Sequence, residues 1–318
     1  MLLALLALLA ACRTGVTGSS WQSPVGREHQ LVGRIWDVAA GRFVDEATLT
    51  ARTARARYVL LGEKHDNPDH HVLQARLLRA LTAAGRRPAV AFEMLTPSQA
   101  GALSRHLVAR PRDASGIGEA VNWKASGWPA WSMYEPIAQA ALEAGLPIVV
   151  ANLDPERVRA VSRQGLAALD AALAQRHGLD QPLPADVRTS MVEEIRDSHC
   201  GHASESLVTA MIAVQRARDA QMAEALLTAA GSDGAVLIAG AGHVRNDRDV
   251  PAYVRRIAPG VRTASVAFLE VDPERQNIES YAARFEHRLP FDYVWFTPAV
   301  DDEDPCEKFR KPLERMDR

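Results

Sequence analysis

The sequence predicts an α/β fold: a mostly parallel sheet flanked by helices, with a smaller helical lobe and an N-terminal β-hairpin. Three observations predict it. From residue 58 onward, short apolar runs alternate with longer amphipathic stretches, the pattern of strands whose helices pack back over a sheet. Residues 153–232 interrupt that alternation with Ala, Leu, Arg and Glu at helical spacing, which supplies the lobe. Four of the apolar runs stop on polar side chains, as strands do where an α/β sheet binds its ligands.

The chain of 318 residues is 47% hydrophobic and 24% charged, enough for a substantial core. No Gly/Ser or Pro linker divides its middle, so residues 29–152 and 233–300 read as one α/β core with the lobe inserted. A net charge of -2, without a basic block or arginine–aromatic stripe, excludes the electrostatic footprint of a nucleic-acid partner.

In chain order, Met1 to Ala11 is almost pure Leu and Ala, too short to span a bilayer and suited to the apolar core of a signal peptide. Leu9-Ala10-Ala11-Cys12 follows and resembles the bacterial lipobox, although no Lys or Arg opens the run. That resemblance implies export, lipidation of Cys12 and anchoring to a membrane, with residues 12–28 as a tether. Residues 31–44 read as a hairpin around Gly41. Strands are expected at 58–61, 89–92, 148–151, 235–239, 261–269 and 292–296, before a charged tail, 301–318. With Cys12 lipidated, Cys200 and Cys306 remain, and an oxidising compartment favours a disulfide between them.

The polar strand ends define the candidate site. They are Gly62-Glu63-Lys64-His65, Glu93, Asn152-Leu153-Asp154 and Gly240-Ala241-Gly242-His243-Val244-Arg245. Glu63, His65, Glu93 and His243 are residue types that move protons or ligate a divalent metal, and Arg245 suits an anionic group. Gly62, Gly240 and Gly242 permit sharp turns or close approach. Pro68 opens a helix whose apolar face, Leu73, Leu77 and Leu81, also carries His70; His71 is turned about 100° away, toward the surface. From 204 to 230 a second helix sets Gln215 and Asp219 in an apolar row, where Asp219 needs a partner and orients a neighbouring loop.

Gly62-Glu63-Lys64-His65-Asp66-Asn67-Pro68-Asp69-His70-His71, Phe92-Glu93-Met94, Gln215 to Met222, Gly240 to Arg245 and Tyr293-Val294-Trp295-Phe296-Thr297-Pro298 together resemble ChaN-type haem-binding lipoproteins. These belong to a wider group with the Tiki proteases, TraB-like proteins and erythromycin esterase-like enzymes. The resemblance implies haem or iron uptake at the outer membrane, haem held between subunits of a dimer, a tyrosine ligand and a receptor partner. Tyr134 and Tyr293 match best as the ligand, with His70 and Arg245 toward the propionates. The wider group implies a different use: a hydrolytic centre of Glu63, His65, Glu93 and His243, metal-dependent or metal-free. A third reading is a receptor-associated scaffold, which requires that no pocket lie beside His65 and His243.

Overall fold

The computed structural model describes residues 21–285, 287–304 and 306–307. The signal run, Cys12 and most of the charged tail lie outside the described residues. Strands β1 (Ile35–Asp37) and β2 (Arg42–Val44) form the expected hairpin, shortened to three residues each. Helix α1 (Glu46–Thr53) starts at Asp45, whose carboxylate accepts from the Thr48 N–H. Strand β3 (Tyr58–Glu63), buried throughout, leads into α2 (Pro68–Ala83). Asn67 caps α2 by accepting from the Asp69 and His70 N–H groups, and Pro68 sits where no amide donor is needed.

Strand β4 (Ala89–Phe92), helices α3 (Pro97–Ala109), α4 (Ile117–Ala120) and α5 (Trp131–Glu143), and strand β5 (Ile148–Val150) follow. Helices α6 (Pro155–Gln164), α7 (Ala171–His177), α8 (Ala185–Ser198) and α9 (Glu205–Ala229) occupy the stretch expected to be helical. Strand β6 (Ala235–Gly240), helix α10 (Asp249–Ile257), strand β7 (Thr263–Glu270), helix α11 (Ile278–Ala282) and strand β8 (Tyr293–Thr297) complete the chain.

The eight strands form one sheet in the order β2-β1-β8-β7-β3-β6-β4-β5. Strands β3 to β8 pair in parallel, and β1 joins antiparallel to both β8 and β2. Side chains alternate between two cores, as strand geometry dictates. Val59, Leu61, Val236 and Ile238 pack on Leu73, Leu77 and Ile137 of α2 and α5. Tyr58, Leu60, Leu237 and Ala239 pack on Met222, Leu226, Val250 and Val254 of α9 and α10. Each such Leu is worth about 1.5–3 kcal/mol once removed from water, so these two layers dominate stability.

The lobe has its own small clusters. Val161, Leu179, Ala217 and Ala220 form one, and Met191, Val208 and Ile212 of α8 and α9 form another. A disulfide joins Cys200, in the α8–α9 turn, to Cys306. Among the described residues no helix is long and apolar enough to cross a membrane.

One expectation changes at the N-terminus. Residues 21–28, read as part of a tether, are docked on the core instead. The Gln22 and Ser23 N–H groups both donate to the Asp69 carboxylate at 2.9 Å, Ser23 Oγ donates to Asn67, and Val25 bridges to Ala299. Asp69, at the start of α2, had acceptors to spare for a passing backbone.

Candidate functional site

Strands β3 and β6 are neighbours, yet β3 feeds α2 on one face of the sheet and β6 feeds α10 on the other. Their carboxyl ends therefore border a switch-point crevice. Two glycines let the loops close on it. A Cβ at Gly62 would lie 2.3 Å from Val244 Cγ2 and 2.9 Å from Ala241 Cα, and one at Gly240 would lie 2.9 Å from His65 Nε2. Neither has positive φ, so close approach, rather than a turn, requires glycine here.

Glu63 is buried at the floor. Its Oε1 lies 2.9 Å from His65 Nδ1 and its Oε2 2.9 Å from His71 Nδ1. The other nitrogen of His71 donates to the His65 carbonyl at 3.0 Å. Burial opposes ionisation of Glu63, but the two imidazoles outweigh it and bring the carboxyl down to about 2. His71 is fully buried, contrary to its expected surface position. The reason is that α2 is covered on two sides: the sheet takes one face, and α5 takes the next, placing Tyr134 4.3 Å from the His71 ring. His65 is the open member of the group, its side chain 32% exposed with Trp128 packed on it at 4.7 Å.

Glu93 anchors a second group. It accepts from the Gly240 N–H at 2.7 Å and from Arg218, and His243 Nε2 lies 3.3 Å away. His243 Nδ1 donates to Asp219 at 2.6 Å, with the Gln215 amide 3.0 Å from the same nitrogen. Burial disfavours the His243 cation, but Glu93 and Asp219 raise its pKa to about 10. The partner required by Asp219 is thus His243. Arg218 also donates to Asn152 Oδ1 at 3.1 Å, which ties β5 to the site. Arg218 was not anticipated; its place one turn after Gln215 and next to Asp219 was the available signal.

Several candidates lie elsewhere. His70 accepts from the Lys64 N–H at 2.8 Å and bonds Thr297 Oγ1 through its other nitrogen; burial lowers it to about 3, so it is a neutral ring with no free ligating atom. Arg245 is spent on Glu194 and Asp247 rather than kept for an anion. Tyr293 begins β8, at the amino end of the strands, beside Arg52 and Asp37. Tyr134 is fully buried, its hydroxyl 3.5 Å from His65 Nδ1, and burial together with Glu63 holds it far above the ordinary phenol range. Tyr134 is thus closed off behind His65, and Tyr293 stands at the other edge of the sheet from the strand-end group.

A cleft of about 390 Å³ opens over the two groups, bordered by Glu63, His65 and His243 on one side and Met191, Ile195 and Met211 of α8 and α9 on the other. Its presence removes the condition that a pure scaffold required. Among the described residues no group of three or more His, Cys, Asp or Glu side chains is placed to hold a metal ion. Physically, the donors are spent on one another, and the Arg218 cation sits on Glu93. The expected divalent metal is thus unsupported.

Interlocked carboxylates and imidazoles at the switch point of a largely parallel sheet define an α/β protein with a strand-end polar site. More particularly, the chain belongs to the family of haem-binding uptake proteins of the Tiki superfamily, ChaN, whose model matches residues 49–254. Among solved structures, one described as cofacial haem binding to ChaN of Campylobacter jejuni is 19% identical, covers 82% of this chain and 95% of its own, and has a TM-score of 0.63. The type III effector HopBA1 is 15% identical over 79% of this chain and 92% of its own, at a TM-score of 0.41. Erythromycin esterase EreC is 13% identical over 81% and 94%, also at 0.41. No curated protein matches.

Proposed function

We propose that the chain is an exported haem-binding lipoprotein, anchored through Cys12 at a bacterial outer membrane and acting in haem or iron uptake. The observation that carries this reading is membership of the haem-binding uptake family over residues 49–254. The residues of the cleft fit the group, though not through a tyrosine. None of the five tyrosines borders the cleft, whereas His65 does. His65 offers a different donor: Nδ1 is held by Glu63, while Nε2 is 3.9 Å from Glu93, beyond hydrogen-bond distance. An imidazole backed by a carboxylate is oriented and made more basic, as iron ligands are. Lys64, partly exposed at the rim of the same cleft, is the cation for a propionate, since Arg248 is paired with Glu194 and Asp249; Met191 and Met211 supply apolar contact. Sharing of haem between two copies and delivery from a receptor complete the proposal.

The test is titration of the purified mature chain with ferric haem. An imidazole-type spectrum is expected, with affinity reduced at least tenfold in His65→Ala and unchanged in Tyr293→Phe. Loss of binding in Tyr293→Phe alone would return the ligand to that tyrosine, and no binding by the wild type would end the haem reading.

The pairing of His243 with Asp219 and Glu93 favours a second reading, metal-free acid–base hydrolysis. A buried imidazole held between two carboxylates, beside an accessible His65, is arranged for proton transfer. Hydrolysis of an ester panel that persists in chelator and falls at least a hundredfold in His65→Asn would support it. Equal rates in both proteins would sink it.

A further inference from the structure

The first described residues are fixed at one end of the molecule. Val25 bridges to Ala299, just past the carboxyl end of β8, and Ser23 and Gln22 are clamped by Asp69 and Asn67 in the loop and first helical turn that follow His65. The chain thus emerges over the carboxyl edge of the sheet, the edge where the cleft opens, and not over the amino edge. Trp21 is packed against the core there. The clamp is buried: Ser23, Asn67 and Asp69 are each less than 5% exposed, so the point of emergence does not wander.

Trp21 lies nine residues beyond Cys12. Even fully extended, that length reaches about 30 Å. A folded chain of this size has a radius of gyration of about 20 Å, hence a diameter of roughly 50 Å, so such a tether cannot carry the opposite edge to the bilayer. Resting on the reading of Cys12 as the lipid anchor, we infer that the cleft-bearing edge of the sheet is a membrane-facing surface. Its partner is the lipid bilayer, and the loop carrying Trp128, which packs on His65, lies in the interfacial zone. A ligand of the cleft would then be taken up or passed on at the lipid surface.

The experiment uses the lipidated mature chain on phosphatidylethanolamine–phosphatidylglycerol vesicles carrying a headgroup quencher. A fluorophore is placed through Ser126→Cys, in the Trp128 loop, or through Ser232→Cys, at the amino edge just before β6. At least threefold stronger quenching is expected at position 126. Inserting twenty Gly/Ser residues between Ser20 and Trp21, upstream of the clamp, should bring the two positions toward equality. Equal quenching with the native tether, or stronger quenching at 232, overturns the orientation. Mass spectrometry showing no diacylglycerol on Cys12 overturns the anchor reading and the orientation with it.

Discussion

Replacing Glu93 with alanine is expected to cost about 3–5 kcal/mol, because Arg218 loses its carboxylate partner and the buried His243 cation keeps only Asp219. Removing one partner of a buried ion pair costs more than the pair contributes, since the remaining charge keeps its desolvation penalty. The Gly240 N–H also loses its acceptor. The effect should depend on pH in a definite direction. His243 is raised from 6.5 to about 10 in the folded chain, so its stabilisation is complete below pH 6.5 and is lost as pH rises through 10. Across that window one proton changes stability by up to about 1.4 kcal/mol per pH unit. In Glu93→Ala the His243 pKa should fall and the window contract. Glu63, lowered from 4.5 to about 2, acts at the other end: its contribution is present above pH 4.5 and lost as pH falls through 2. Urea unfolding from pH 2 to 11, with the His243 titration followed by NMR, checks this; matching curves for the two proteins above pH 6.5 would refute the account.

The second large effect is expected from Cys306→Ser. The disulfide closes a separation of 106 residues, which in the chain-entropy description is worth up to about 4–5 kcal/mol. The loss should be uneven. The cluster of Met191, Val208 and Ile212 that binds α8 to α9 is small and separate from the sheet cores. Amide exchange in 185–212 should therefore accelerate at least tenfold in Cys306→Ser, well before exchange in β3. Uniform acceleration would show that lobe and sheet unfold together, and unchanged exchange would show that the bridge restrains neither.

Much of the site was legible because it lies at strand ends. An apolar run that stops on Glu63, Glu93 or His243 marks both a strand and its carboxyl end, and local sequence suffices for that. His71 and Arg218 were harder because their roles depend on packing distant in sequence. Periodicity assigns α2 one buried face and could not report that α5 would cover the next. Arg218 meets Glu93 across 125 residues, a distance no local pattern encodes. Tyr293 shows a different failure: it matched a motif, but its place as the first residue of a strand parallel to β7 sets it at the opposite edge from the cleft. Direction along the strand, read from Asp292 onward, would have indicated this. The tether reading of residues 21–28 follows from the lipobox resemblance at Cys12, which marks where an anchor attaches and not where the fold begins; two hydrogen bonds to Asp69 decide their position.

Helix α9 serves as a ruler for this molecule. Over 25 residues it carries Val208 and Ile212 into the lobe, Gln215, Arg218 and Asp219 into the site, and Met222 and Leu226 into the sheet core. Each residue inserted or deleted between 208 and 226 would rotate everything downstream by about 100° and shift it by 1.5 Å. Length variation in related chains should therefore be barred from that span and concentrate in the turns on either side, at 199–204 and 230–234. Point changes within α9 remain open to evolution, but changes of length do not.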